Sequence, residues 1–161
     1  MQIKDGDEIG ILPPFAGGAE GSSMVRVQTG DFSVDEEIAR VKASSGDIGG
    51  IVVFLGIGRG TSRGRSIKKL DFEHYPGMAE KRLNEIREQS LKDFDIKEVN
   101  IVHRISEIGI GENIVLIVVG AAHRADAFKA CKWCIDELKR ITPIWKKETT
   151  PDGEIWVEEH P

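Results

Sequence analysis

Basic side chains gathered between residues 123 and 147 have the types needed for an anion-binding catalytic site. An arginine guanidinium grips phosphate or carboxylate through two parallel hydrogen bonds. A lysine amine acts as a nucleophile or acid–base group when burial or a neighbouring positive charge lowers its pKa. The sequence therefore predicts an anion pocket with two candidate catalytic amines. The basic residues that form this cluster are His123, Arg124, Lys139, Arg140, Lys146 and Lys147.

These side chains must be positioned by a strand, a helix and the segment after it. Residues 114–119 form a short apolar run rich in β-branched residues, which predicts a buried strand. A helical pattern begins near Ala125, and Pro143 ends it around residues 140–142. Steps of three and four predict that one apolar face of this helix carries Phe128, Cys131, Ile135 and Leu138.

A second basic segment follows another apolar strand, predicted for residues 48–55. Residues 56–65 are rich in glycine and arginine and predict a mobile basic loop, with Arg59 nearest the strand. The glycines lack the third position of the dinucleotide-binding pattern, and no Gly-Lys-Ser/Thr completes a phosphate loop. We therefore interpret the segment as an anion-binding loop. Phe54 and Trp145 are candidates for the wall of a flat-ring pocket, although either suits the core equally well.

The remaining elements alternate between strands and amphipathic helices, which indicates an α+β fold. Ser33 and Glu36 match the capping box of a short helix with Ile38 and Val41 inward. Turns are predicted at 75–77 and 151–153, and a hairpin turn at 109–113 leads back into the central strand. Further strands are predicted at 25–28, 66–74, 99–105 and 154–158, and a further helix at 78–94.

Composition excludes several classes of function. The net charge of −5 argues against general nucleic-acid binding. No apolar run approaches the ~20 residues of a membrane helix, and no secretory signal is recognisable. The two cysteines, Cys131 and Cys134, favour a cytoplasmic, reducing compartment. They lie inside the predicted helix rather than at its start, so core packing is favoured over redox chemistry, and the four histidines show no zinc-ligand spacing.

Several motifs together resemble the catalytic, large subunit of molybdopterin synthase. They are GIVVFLGxxR at residues 50–59, EHYPGM at 73–78, AHR at 122–124, and Lys139 with PxWKKE at 143–148. The resemblance covers nearly all of residues 24–161, in order and with compatible spacing. It implies an α/β hammerhead domain with an additional antiparallel β subdomain, and a homodimer within a heterotetramer.

The resemblance also implies the chemistry. A small ubiquitin-like partner subunit carries a thiocarboxylate on its C-terminal glycine, and its sulfur passes to cyclic pyranopterin monophosphate (precursor Z), giving the dithiolene of molybdopterin. Lys139 matches the catalytic lysine, and Lys146 is the second choice as acid–base group or substrate contact. No metal or cofactor is implied, because sulfur and electrophile arrive on partner and substrate. Phosphate or pterin contacts are implied for Arg59, His123 and Arg124, and a pocket wall for Phe54.

Residues 1–18 resemble the C-terminal tail of that small subunit, ending in Gly17-Gly18. Residues 19–23 have linker composition, and residues 24–161 form the predicted catalytic domain. Ala19 follows Gly18, and a peptide-bonded glycine cannot carry a thiocarboxylate. A fusion that requires cleavage, a truncated fusion and a start at Met24 all stay open.

Two alternatives belong to other functional classes. One is a non-catalytic module that binds a ubiquitin-like Gly-Gly tail, with residues 1–18 as an internal mimic. The other is a thiol oxidoreductase that uses Cys131 and Cys134.

Overall fold

The computed structural model describes residues 23–157, and these form two four-stranded sheets, a two-stranded hairpin and three helices. The predicted tail 1–18 and most of the predicted linker lie outside the described residues. In chain order the elements are β1 (Val25–Gln28), α1 (Val34–Ser44), β2 (Gly50–Ile57), β3 (Thr61–Ser62), β4 (Arg65–Ser66), β5 (Lys69–His74), α2 (Met78–Asp93), β6 (Glu98–Arg104), β7 (Ser106–Gly109), β8 (Asn113–Ala121), α3 (Arg124–Ile141), β9 (Ile144–Thr150) and β10 (Gly153–Val157).

The first sheet has the strand order β1-β6-β8-β2 and carries helices on both faces. Strand β1 runs parallel to β6, whereas β6, β8 and β2 pair antiparallel. Side chains alternate along each strand, so Ile101 and Ile117 pack with α2 and α3 while Val102 and Leu116 pack with α1. The predicted buried strand at 114–119 is confirmed, and the fold is α+β.

Helix α3 ends where Pro143 predicts, with Thr142 as its C-terminal cap. Its predicted apolar face is only partly right. Cys131 and Leu138 are 4% and 5% exposed, but Phe128 is 61% exposed and therefore not a core residue. Close packing against the sheet is made instead by small side chains, namely those of Ala127, Ala130 and Cys134.

The second sheet is fully antiparallel, with the order β10-β9-β5-β7. Its own cluster of buried residues includes Leu70, Phe72 and Ile144. The turn predicted at 109–113 is confirmed, since the Glu112 N–H donates to the Gly109 carbonyl at 3.2 Å and the strands that it connects, β6 and β8, pair antiparallel. An additional strand between them, β7, pairs with β5 of the second sheet. Ser106 has a φ of 73° at the junction between β6 and β7, so the chain bends out of the first sheet there and returns at β8. This arrangement agrees with a hammerhead domain beside an antiparallel subdomain.

The glycine- and arginine-rich segment contains a short hairpin of β3 and β4. Arg63 and Gly64 have φ values of 52° and 80°, as expected for the two central residues of a type I′ turn, which joins the two strands of a tight hairpin. Upstream of the hairpin, the Gly58 N–H donates to the Glu112 carbonyl at 3.0 Å, and the Gly111 N–H donates to the Gly58 carbonyl at 2.8 Å. A Cβ at Gly58 would lie 2.8 Å from the Gly109 carbonyl oxygen, so only glycine fits. The backbone just before Arg59 is therefore fixed.

Several smaller predictions are confirmed. The Ser33 hydroxyl accepts the Glu36 N–H at 3.2 Å, and α1 turns Val41 inward with no exposed surface. Strands β9 and β10 form the hairpin around the predicted turn at 151–153. Among the helices within residues 23–157, none has the length and apolarity required to cross a membrane.

Candidate active site

A cavity of about 310 Å³ lies where the end of α3 meets both sheets. Apolar side chains form most of its wall, and basic groups project from three different elements. The lining residues are Phe54, Leu55, Gly56, Ile57, Arg59, Phe72, His103, Ile114, Val115, Ile135, Leu138, Lys139, Ile144 and Lys146.

The two lysines converge because the chain reverses sharply between α3 and β9. Leu138 is buried in the core and anchors the last turn of the helix, which places Lys139 beside it at the cavity. After Pro143 the chain enters β9, where Lys146 pairs in register with Phe72 of β5. Paired residues project from the same side of a sheet, so Lys146 and Phe72 both face the cavity.

The cavity favours the neutral form of one amine. Burial is the largest cause that lowers the pKa of Lys139, and the positive charges of Lys146 and Arg59 lower it further. No carboxylate occurs among the described lining residues to oppose this effect. A lysine with a lowered pKa has more free amine at neutral pH, and this is the form that attacks carbonyl carbon or accepts a proton.

Behind Lys146 lies the buried carboxylate of Glu148, the last residue of the PxWKKE motif. Glu148 is only 1% exposed, and its Oε2 is 3.4 Å from Lys146 Nζ. Its Oε1 is 3.5 Å from a guanidinium nitrogen of Arg65 on the hairpin. Because side chains alternate along a strand, Glu148 points to the same side of β9 as Lys146, which lies two residues before it. Glu148 thus balances the charge of Lys146 from beneath the cavity.

We expect Glu148→Gln to lower the free energy of unfolding by about 1–3 kcal/mol, because it leaves Lys146 and Arg65 without their shared anion. Urea denaturation measures this loss. The matched control is Glu154→Gln, since Glu154 is an exposed carboxylate 3.5 Å from Lys147. Its effect should stay within about 0.5 kcal/mol. Equal small effects for both variants would contradict a structural role for Glu148.

A second unpredicted member of the site is His103, which lines the cavity and is 4% exposed. It follows Val99 and Ile101 with a period of two along β6, so alternation would have placed it on the buried face. Burial is the main cause that lowers its pKa from 6.5 to about 4. The ring is therefore neutral at pH 7.

His123 and Arg124 lie at the opposite end of α3 from the cavity. At 1.5 Å per residue, the sixteen positions between His123 and Lys139 span about 24 Å. Both side chains are exposed, and neither lines the cavity within one chain. Within one chain these two residues therefore do not join the cavity, because the strand end before α3 and the last turn of α3 lie at opposite ends of an 18-residue helix.

Arg140 and Trp145 lie in a neighbouring groove, while Phe54 and Arg59 line the cavity as predicted. One helical step of 100° turns Arg140 away from Lys139, and its guanidinium pairs with Glu137 at 2.7 Å. Trp145 is 49% exposed, because it points to the other side of β9 from Lys146.

The two cysteines have the properties of core residues. Both are free thiols, and burial raises the pKa of Cys131 to about 11 and that of Cys134 to about 12. Such thiols are neutral and weakly reactive at physiological pH, which argues against the oxidoreductase alternative. Within residues 23–157, no group of His, Cys, Asp and Glu side chains is arranged to hold a metal ion.

Comparison with known proteins places the chain in a family. The family model described as MoaE protein matches residues 27–141. A molybdopterin synthase catalytic subunit from Pyrococcus abyssi is 48% identical over 80% of this chain and 85% of its own length.

Solved structures agree. Molybdopterin synthase from Staphylococcus aureus superposes with a TM-score of 0.80 at 31% identity, over 85% of this chain and 98% of that one. A molybdopterin biosynthesis MoaE protein from Burkholderia ambifaria superposes with a TM-score of 0.72 at 40% identity, over 83% of this chain and 87% of that one. The chain therefore belongs to the MoaE protein family.

Proposed function

We propose that this chain is the catalytic subunit of a molybdopterin synthase and works as a sulfurtransferase in molybdenum cofactor biosynthesis. The observation that carries the proposal is the convergence of Lys139, Lys146 and Arg59 on one largely apolar cavity. Cations of this kind bind phosphate and the anionic end of a peptide, and Phe54 offers a flat face to a pterin ring.

The reaction transfers sulfur from a thiocarboxylated C-terminal glycine to cyclic pyranopterin monophosphate. The glycine belongs to a small ubiquitin-like partner subunit. Lys139 approaches the donor end, because burial and two neighbouring cations favour its free amine. Lys146, supported by Glu148, acts as the acid–base group or substrate contact. Arg59 binds the phosphate, since its place at the mouth leaves it exposed to an incoming anion.

His123 and Arg124 can join this site only from a second copy of the chain. Strand β2 is the edge of the first sheet, and its first residue, Gly50, pairs with Ala121 just before His123. If two β2 strands pair antiparallel about a twofold axis, the start of one strand meets the end of the other. His123 and Arg124 of each copy then approach Arg59 of its partner. We therefore propose a homodimer with shared pockets inside a heterotetramer.

A cytoplasmic location is part of the proposal. Two free, buried thiols are typical of a reducing compartment.

The test is a single-turnover conversion of cyclic pyranopterin monophosphate with a separately prepared, thiocarboxylated small subunit. We expect a dithiolene product. If this chain gives no product, the same assay with a variant that starts at Met24 decides whether residues 1–23 block the site. No product from either, with the small subunit still bound, would favour the non-catalytic module that binds a Gly-Gly tail.

A further inference from the structure

The buried carboxylate of Glu148 is held between two cations that come from different elements. Its Oε2 lies 3.4 Å from Lys146 Nζ, and its Oε1 lies 3.5 Å from a guanidinium nitrogen of Arg65 on β4. A buried carboxylate that loses one of two such partners directs its whole charge at the other. Arg65 therefore determines how strongly Glu148 attracts the amine of Lys146.

The fold fixes Arg65 in this place, although the hairpin that carries it is short. Directly after β4, Ile67 is buried in the core cluster of the second sheet. The Lys68 N–H then donates to the carbonyl of Thr149 at 2.8 Å. Because Thr149 follows Glu148 in β9, this hydrogen bond joins the end of the hairpin to the strand beside the carboxylate.

Glu148 pairs with both cations without a close hydrogen bond to either. Arg65 Nε and Glu148 Oε1 are buried, and neither has a hydrogen-bond partner within residues 23–157. The 3.4 Å contact with Lys146 is also longer than the roughly 2.8 Å of a strong ammonium–carboxylate hydrogen bond. The carboxylate thus lies between its two partners, and the Lys146 amine stays at the wall of the cavity.

The cavity offers no attraction that would hold this amine against Glu148. No carboxylate occurs among the described lining residues, and the other charged groups there, Lys139 and Arg59, are cations. If Glu148 directed its whole charge at Lys146, the flexible amine would move down towards Oε2 and away from the substrate.

We propose that Arg65 is a positioning residue for Lys146: it takes up part of the charge of Glu148 and so keeps the Lys146 amine available to the substrate in the cavity. The inference rests on the function proposed above and deepens its account of Lys146. Arg65 itself does not line the cavity, so its effect passes through Glu148.

A double-mutant cycle between Arg65→Gln and Glu148→Gln tests this inference. The rate of Lys146 labelling by trinitrobenzenesulfonate at a fixed pH is followed by mass spectrometry and requires no turnover. Arg65→Gln should slow both this labelling and single-turnover sulfur transfer about fivefold, because Glu148 then holds the amine more strongly. In the Glu148→Gln background, the same change should have no effect on labelling, since the carboxylate through which Arg65 acts is gone.

Two further variants are the controls. Arg65→Lys keeps the positive charge and should restore most of the labelling rate. Lys69→Gln removes a cation of similar exposure from the neighbouring strand β5, with side chains 40% exposed for Lys69 and 39% for Arg65. Its partner, Glu107, is an exposed carboxylate, so labelling of Lys146 and sulfur transfer should both stay unchanged.

Unchanged Lys146 labelling in Arg65→Gln overturns the proposal, as does an equal slowing with and without the Glu148 carboxylate. An Arg65→Lys variant as slow as Arg65→Gln overturns it as well. If Arg65→Gln does not fold, Glu148→Gln alone decides, because an offset carboxylate should change labelling by less than about twofold and a rise of about fivefold contradicts the offset. The expected labelling pattern without sulfur transfer by the unaltered chain would keep the positioning role and reject the proposed function.

Discussion

Replacing Lys139 by alanine is expected to slow dithiolene formation at least about a thousandfold while the protein stays folded. Lys139 is the amine whose pKa is lowered by burial and by the charges of Lys146 and Arg59. Its removal leaves the donor end of the partner tail without a nucleophile or proton acceptor at the right place. Stability should change by less than about 1 kcal/mol, because two like-charged neighbours lose a repulsive partner. Single-turnover product formation and urea denaturation measure the two effects.

The matched control for this variant is Lys132→Ala on the same helix. Lys132 is 79% exposed, pairs with Asp136 at 2.6 Å and does not line the cavity. Its loss should leave turnover unchanged. Activity of Lys139→Ala within tenfold of the unaltered chain would remove Lys139 from the mechanism.

The same variant separates the enzyme from the binding module. Affinity for the thiocarboxylated small subunit should survive Lys139→Ala, because one amine at the end of an extended tail is a small part of a protein interface. A chain that binds the tail with and without Lys139, yet never forms product, would be a binding module. Titration of the small subunit against the unaltered chain and against Lys139→Ala, together with the turnover assay, distinguishes the enzyme from the binding module.

The helices and strands were largely predictable because burial leaves a clear period in the sequence. Residues 114–119 and the end of α3 at Pro143 were found from local signals. Phe128 was misplaced because spacing identifies an apolar stripe but not which part of it lies against a sheet. Strand β7 was missed because the left-handed conformation of Ser106, a residue with no strong preference for it, redirects the chain to the second sheet before the turn at 109–113.

The site was predictable where it depends on elements next to each other in sequence. Lys139 and Lys146 flank one turn, so their meeting at the cavity follows from Pro143. His103 and Glu148 occupy buried positions on strands. The sequence pattern does not show which groups such a titratable residue contacts, so it does not reveal that these two residues belong to the site. Their partners, the Arg104 carbonyl and the Lys146 amine, became visible only from the fold.

In the proposed homodimer, His123 and Arg124 reach the cavity by symmetry, which spacing within one chain does not reveal. Within a chain they lie about 24 Å from Lys139, yet they stand next to the start of the open edge strand β2. Edge strands carry unpaired backbone groups that favour addition of another strand. A second copy is therefore the simplest means to bring these cations to the cavity.

A mixture of two inactive variants should recover activity if the pockets are shared. Lys139→Ala removes the amine, and Arg124→Ala removes the cation that each copy lends to its partner. In a mixed dimer, one pocket has both defects and the other has neither. Random pairing makes half of the dimers mixed, so about a quarter of all pockets should be intact. Co-refolding of the two variants followed by the single-turnover assay measures this fraction.

The control mixture combines Lys139→Ala with Lys146→Ala. These two lysines line the same cavity of one chain, so every pocket in a mixed dimer keeps one defect and no activity should return. Recovery in the first mixture and not in the second would require Arg124 to act across the dimer, because within a chain it lies too far from Lys139. Equal results in the two mixtures would confine each site to its own chain and leave Arg124 outside the site.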